Sequence, residues 1–446
     1  MLPLSQEDKE LINQLNRHPD IKDRVKSIVS IANNDGDGIV TADEAESRVI
    51  EEVRRMGNEV LTGWAESRVE KAGEALPSEE KTVRSGKKKI CWHSTFGEID
   101  VIEQEYRQPG KRFRPFSESA GITCRGCSLP LQRVVTDFGA DHSFGRVPEK
   151  LKEHYGITLS ASTVRAVTQT HAQHIYDRRK AERIEEQPAV TGRDCVIAET
   201  DGSMVPIVVP DKNAEDRRKG KKYSWKEARL CFAHIPGETT LKFGAEFQEG
   251  VDEAGKNLFD CACRAGFGVG TYLHSVGDGD PWIYGQIEKQ FGDQGNYLID
   301  FYHVCEYLEA AATACSEKNG AKAWSNRQKA LLKEGRVEEG RVEEVKESLK
   351  PHLEPEETED QHAPVRSCLR YLHNRPGQFD YLGAQARGLP IGSGEIESAH
   401  RYIIQERLKI AGAWWTPENA RIMLALRVDR ADGYWEKYWD NIKRAA

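Results

Sequence analysis

Residues 272–284, YLHSVGDGDPWIY, constrain the fold more than any other stretch of this chain. The run Tyr272, Leu273, Ser275, Val276 has strand character, and Pro281 is best tolerated in the first turn of a helix, where its missing N–H is not needed. Asp278 and Asp280 therefore fall between the carboxyl end of a strand and the start of a helix. Open α/β sheets build ligand sites in the crevice outside such strand ends, so carboxylates placed there are candidates for a metal or a reacting group. A solvated turn is the plainer reading, because Asp and Gly form turns readily.

From Asp194 the chain alternates strand-like and helical patterns. CVIAETDGSMVPIVV gives a buried run ending at Asp201 and a second strand over 205–209; a Lys- and Arg-rich loop carrying Lys221 and Lys222 feeds a third strand near 226–235. The opening stretch supplies a fourth strand, and NYLIDFYHVCEYLEAA a fifth that runs into a helix. Residues 305–385 read as helical and charged; 334–360 hold eleven acids against four bases and read as a solvated surface helix and linker. In the following GSGEIESAHRYIIQERLKIAGAWWT, Ser393 is the expected N-cap, with Glu395 and Glu397 in the first turns where acids suit the helix dipole.

Upstream, residues 1–80 carry apolar positions at the helical period. Within them NNDGDGIVTADE sets Asn33, Asp35, Asp37, Gly38 and Glu44 on the calcium-loop pattern; Asn at the first position weakens it, and an acidic turn is favoured over weak Ca²⁺ binding. Residues 81–115 hold nine Lys or Arg against four acids and alternate like strands. Cys124 and Cys127 form one Cys-x-x-Cys, half a zinc site, with Cys91 and His93 the nearest further ligands in sequence; a structural zinc is not favoured. Residues 142–170 read as helix, turn at Gly156, helix, with Ser162, Thr163 and Arg165 at the front of the second helix, the arrangement of a helix-turn-helix that offers those residues to base edges. An ordinary helical hairpin is the alternative.

The expected divisions are a helical region 1–80, a small basic β-rich element 81–135, a helix-turn-helix DNA-binding region 136–190, the first part of an α/β core 191–304, a charged helical insertion 305–390, and the last core helices with the tail 391–446. A net charge of −8 excludes a globally basic nucleic-acid coat but leaves room for local basic patches. No run of about 18 apolar residues is present, the N-terminal segment lacks the order of a signal peptide, and ten dispersed cysteines suit reduced thiols, so a cytoplasmic protein is expected.

Three acids share one logic: Asp201 ends the first core strand, Asp278 ends the fourth, and Glu397 opens a late helix after a helical insertion. That order is the order of an RNase H-like core, and two Asp with one Glu supply hard oxygen ligands to Mg²⁺ or Mn²⁺ for in-line phosphoryl displacement. On the Glu397 helix His400, Arg401 and Ile404 lie near the Glu397 face; Arg401, Arg407 and Lys409 are phosphate candidates, and Trp414 and Trp415 are either base-stacking residues or, more often for such a pair, core.

The phrases DGSMVPI, YSWKEARLC, VDEAGKNLFDCACRAGFG, GDGDPWI, YLIDFYHVCEYL and GSGEIES with RLKIAGAWWT together resemble a bacterial insertion-sequence transposase of the DDE superfamily, the ISKra type akin to the Mutator-like group, over about residues 90–435. The resemblance implies that Asp201, Asp278 and Glu397 are the metal-binding and catalytic triad. It favours Asp278 over Asp280 and Glu397 over Glu395, and places His303, in the Asp-x-x-His stretch Asp300–His303, near the site. It further implies a multimer holding two terminal inverted repeats and a target DNA in a prokaryotic nucleoid. A structure-specific nuclease, a non-catalytic domesticated DNA-binding protein and a calcium sensor are the competing expectations.

Overall fold

The computed structural model describes residues 5–33, 38, 40–74, 82–122, 124–211, 220–317, 319–334 and 341–445. They form two compact units, Met1–His171 with Lys437–Ala446, and Ala172–Glu436.

The first unit opens with helices α1 (Gln6–Arg17), α2 (Pro19–Asn33) and α3 (Ala42–Glu74). An antiparallel meander follows: β1 (Val83–Ser94), β2 (Gly97–Gln108) and β3 (Lys111–Phe113). Alternation sends Ile90, Trp92, Ile99 and Val101 inward, where they bury with Ala65 of α3 and Phe116 of α4 (Pro115–Ser119), while Lys89, Glu98 and Asp100 stay exposed. Helix α5 (Leu129–Asp141) runs through the border expected at residue 135. It shares a core of Leu131, Val135, Val147, Leu151, Val164 and Val167 with α6 (Val147–Tyr155) and the start of α7 (Ala161–Glu182). Gly156 ends α6 at φ 69°, a left-handed conformation that favours glycine, and Ser160 Oγ accepts the Thr163 N–H at 3.1 Å to start α7.

The second unit is built on a mixed five-stranded sheet of β4 (Cys195–Pro210), β5 (Lys221–His234), β6 (Lys242–Phe247), β7 (Tyr272–Gly277) and β8 (Gly295–Ile299), ordered β6-β5-β4-β7-β8. β4 is antiparallel to β5 and parallel to β7; β7 is parallel to β8. The structure corrects the sequence reading in two places. The two strands expected around Asp201 are one, because the ladder to β5 continues unbroken from Ile197 opposite His234 to Pro210 opposite Lys221. The short strand β6 was not expected; its Gly244 brings the backbone so close to Cys231 and Cys261 that a side chain would meet both sulfurs at 2.9 Å.

Helices α8 (Val251–Ala265) and α9 (Pro281–Phe291) cover one face, Pro281 standing in the first turn of α9 as its ring requires. Helices α10 (Phe301–Ala312), α11 (Ala321–Glu334), α12 (Arg341–Leu349), α13 (Pro364–His373) and α14 (Tyr381–Ala386) form the insertion. Within the stretch expected to be a solvated helix and linker, α12 instead buries Val342, Val345 and Leu349 against the core that Val276 and Leu298 of the sheet also enter; its acids line the outer side. After α15 (Gly394–His400) a π-helical turn, Arg401–Gln405, leads to the short α16 (Glu406–Leu408) and then α17 (Pro417–Ala431); α18 (Trp435–Ala445) is the last element. Among the described residues no helix is long and apolar enough to cross a membrane.

Candidate functional site

Asp201 lies midway along β4, where its Oδ1 accepts the Gly202 N–H at 2.7 Å. The parallel register pairs Cys195 with Tyr272 and Ile197 with His274, an offset of 77 residues. The ladder ends there, but the same offset carried onward matches Asp201 with Asp278, whose charge acts on the Asp201 carboxyl.

The turn after β7 is fixed from several sides. Asp278 Oδ1 accepts the Asp280 N–H at 2.9 Å, and the Asp278 carbonyl accepts the Tyr371 hydroxyl at 2.6 Å. Gly279 donates its N–H to Tyr297 Oη at 2.9 Å, and its carbonyl accepts Arg375 Nε at 2.8 Å. At φ 85° and with Tyr371 Oη 2.8 Å from where a Cβ would sit, position 279 requires glycine. Asp280 is exposed at the start of α9 and its side chain makes no capping bond. His303 packs against the same support, its ring 5.8 Å from that of Tyr371, and its Nδ1 is 3.6 Å from Glu306.

Glu397 reaches the site because Asp300 anchors its helix. The buried Asp300 carboxylate accepts the Tyr302 and His303 N–H groups at the start of α10, and also the Ser393 N–H and hydroxyl at 2.7 and 2.5 Å. Its own N–H donates to Gly277 at 2.7 Å. One residue thus ties three elements together: its N–H holds the end of β7, and its carboxylate the starts of α10 and α15. Ser393, expected to cap α15 with its hydroxyl, spends that hydroxyl on Asp300 instead. Asp300, Tyr302, Gly394, Glu395 and Glu397 line an open pocket. Glu395 Oε2 stands 3.1 Å from His234 Nε2 on β5, whereas the charge of Glu397 is felt at Asp201.

The electrostatics link the three acids. Burial pushes the Asp201 carboxyl up to about 6; the Gly202 N–H opposes this, and the negative charges of Asp278 and Glu397 reinforce it. Glu199, two residues earlier on the same face of β4, is almost fully buried, and burial first, then Glu395, hold it well above the ordinary carboxylate range despite the Ile396 N–H. Its Oε2 has no hydrogen-bond partner. His400, buried with Nε2 3.7 Å from Asp201 Oδ2, is pushed down to about 4 by burial and by the charge of Lys409, so it is neutral at pH 7. Glu199, Tyr371 and Arg375 had no role in the sequence reading, and Asp300 entered only as the first residue of the Asp-x-x-His stretch. The i+2 spacing of Glu199 from Asp201 could have flagged that neighbour.

By chemistry, two Asp and one Glu would suit a hard divalent cation. Among the described residues the one group of three donor atoms within 4.8 Å of one another is Cys91, Glu98 and Asp100, exposed on β1 and β2; Asp201, Asp278 and Glu397 are not gathered that closely.

The other sequence candidates are scattered. Arg407 is not a phosphate contact: it is 2% exposed and its guanidinium stacks 4.8 Å from Trp415. Arg407 stands three and four residues after buried Ile404 and Ile403, a spacing that shares one helix face, while Arg401 stays exposed. Trp415 is buried too, donating Nε1–H to Leu408, so base stacking falls to Trp414 alone of the pair. Lys409 is half-buried and donates to Ser203 Oγ at 2.8 Å. Lys221 and Lys222 are exposed at the start of β5; Lys222 lies 3.4 Å from Asp211. In the first unit Ser162 and Arg165 are exposed on the first turn of α7, and Thr163 is half-buried beside Ser160. Of the calcium-loop positions, Asp35 and Asp37 lie outside the described residues, and Glu44 accepts the Val40 and Thr41 N–H groups as a cap of α3. Cys127 is buried and its backbone bridges to His93; the side chain of Cys124 lies outside the description.

Compared with known proteins, the chain matches no protein-family model and no curated protein.

Proposed function

We propose that this chain is a DNA-cutting and DNA-joining enzyme, a transposase that binds the terminal inverted repeats of an insertion sequence and carries out metal-dependent strand cleavage and strand transfer. The observation that carries the reading is that the charges of Asp278, after β7, and Glu397, on α15, both act on the Asp201 carboxyl of β4, adding to a rise that burial dominates. The strand order β6-β5-β4-β7-β8, in which only the last three strands run parallel, is the order an RNase H-like core would have and supports the same reading.

In this reading Asp201, Asp278 and Glu397 hold Mg²⁺ or Mn²⁺. Once bound, such ions supply Lewis acidity to the attacking and leaving oxygens of an in-line displacement. The protein's own groups do the placing: Asp300 fixes the Glu397 helix, Tyr371 and Arg375 fix the Asp278 turn, and neutral His400 contacts Asp201 without competing for its charge. Lys409, at Ser203 on the Asp201 face of β4, offers a cation to the phosphate lying over the acids. Ser162, Thr163 and Arg165 on α7 would read the repeats, and holding two ends at once calls for more than one copy of the chain.

The test is a reaction of purified protein, Mn²⁺ and labelled duplexes taken from the DNA flanking the reading frame. Strand-transfer products from the parent chain, and none from Asp201→Asn, are expected. Cleavage without transfer would favour a structure-specific nuclease; DNA that is retarded but uncut would leave a binding protein and remove the enzymatic reading.

A further inference from the structure

Beyond Asp201 the β4–β5 hairpin runs on past the end of β7, and its outer part carries large exposed rings. Tyr223 is 56% exposed and Trp225 52%, and Trp414 joins them at 42%. The ring of Trp414 lies 4.6 Å from that of Tyr223 and 6.3 Å from that of Trp225. Backbone bonds hold it there: Trp415 N–H donates to Pro206 and Val208 N–H donates to Trp415, so the segment adds to the free edge of β4. With Trp415 turned into the core, alternation turns Trp414 outward.

Three contiguous exposed aromatic rings on a rigid hairpin are a binding surface rather than a scatter of surface apolar groups. The surrounding charge says for what: Lys221 is exposed on the same face of β5 as the rings, and Lys222, Lys226 and Lys409, at Ser203, set cations on the Asp201 face of the same hairpin. Flat rings among cations match a polyanion with flat faces. Register adds a constraint. Trp225 pairs with Pro206 and Tyr223 with Val208, whereas Asp201 pairs with Leu230, so the rings stand on the opposite face of the hairpin from the Asp201 carboxylate. The displacement along β4 from Asp201 to Pro206 is about 17 Å at about 3.4 Å per residue. A base still paired in a duplex lying over the acids does not reach that face; one turned out of the duplex does.

We infer that Tyr223, Trp225 and Trp414 form a platform that stacks an unpaired base of the DNA strand, away from the phosphate that is cut. This rests on the DNA-cutting reading above. The experiment is an anisotropy titration of the full chain with three labelled probes: an oligothymidylate single strand, a fully paired duplex, and the same duplex with one unpaired base near its end. Trp225→Ala and Trp414→Ala are expected to weaken the first and third probes by about tenfold or more, with the paired duplex changed by less than about twofold. Trp225→Phe keeps a stacking ring and should retain most of the preference, which separates stacking from loss of fold; Lys221→Ala should weaken all three probes alike. Equal losses on all probes in the alanine variants, or no loss, overturn the platform. A parent chain that binds the paired duplex with no preference for the unpaired base also overturns it and leaves the DNA-cutting reading standing; a parent chain that binds none of the probes removes both.

Discussion

The second unit contains two groups of acids with opposite surroundings, one buried and the other half-buried at Asp201 and Asp278 and exposed at Glu397. Asp429 and Asp432 are met by guanidinium groups: Arg178 bonds Asp429, Arg179 reaches Asp432 at 2.9 Å, and Arg264 reaches Asp432 at 2.7 Å. Asp201 and Asp278 accept backbone N–H groups, and the charges of Asp278 and Glu397 act on Asp201; among the described residues no ion pair of these three with a lysine or arginine is seen, and the imidazole beside Asp201 is neutral. The first group neutralises itself within the fold and ties α7, α8 and α17 together. The second keeps its charge without a cation from the fold, and under the proposed function a bound divalent ion would answer it.

Four changes test that contrast, taken from the largest expected effect to the smallest. Asp201→Asn should lower Mn²⁺-dependent cleavage by at least about a hundredfold, yet raise the thermal midpoint of the metal-free protein at pH 7, because it removes a carboxylate that the folded state disfavours. A fall in the midpoint would mean that Asp201 ties the fold together as the first group does.

Arg264→Ala should do the reverse, costing about 3–5 kcal/mol of stability by leaving buried Asp432 with less compensation, while the midpoint shift produced by added Mn²⁺ stays that of the parent. Calorimetry with and without Mn²⁺ reads both.

The third change is in pH dependence. Asp201, folded value about 6 against 3.8, holds its proton longer when folded, so its contribution to stability falls as pH rises from about 4 to about 6. His400, folded value about 4 against 6.5, behaves oppositely: its contribution falls as pH drops from about 6.5 to about 4 and amounts to about 3 kcal/mol. The difference in stability between Asp201→Asn and the parent should therefore grow as pH rises across that window, and the deficit of the parent against His400→Gln should grow as pH falls. Denaturant midpoints that track neither trend would contradict the electrostatic picture of the site. The smallest effect is expected in Lys409→Met: without the nearby charge the His400 titration moves up from about 4, seen as a shift of its ring resonances with pH.

Much of this arrangement was legible in the chain because it depends on local rules. The turn after Val276 announces itself through Gly, Asp and Pro, each with its own backbone demand, and the Gly156 break and Ser160 start of α7 are written in the same way. The exposed or buried fate of some single residues was misread because residue type was weighed above position. Arg407 was taken as a phosphate contact for its charge, although a count of about 100° per residue sets it beside buried Ile396 and His400. Trp414 and Trp415 are adjacent and chemically alike, and only the bond of their segment to the edge of β4 decides which one faces water. Glu199 looked like one more polar residue in a strand; its burial and missing partner come from Ile396 and the acids that α15 brings over it.

By itself, the amino-acid sequence determined that strands and helices alternate after residue 194, that acids stand at a strand's carboxyl end and at a helix start, and where the main turns fall, because these follow from φ preferences and side-chain periodicity within a few residues. Tertiary structure alone decided that the charges of residues 278 and 397 act on residue 201, that Asp300 joins the end of β7 to the starts of α10 and α15, and that Arg407 and Trp415 are core while Tyr223, Trp225 and Trp414 are exposed together. Those outcomes depend on strand order, register and burial, which couple residues far apart in the chain and are set only when the sheet is assembled.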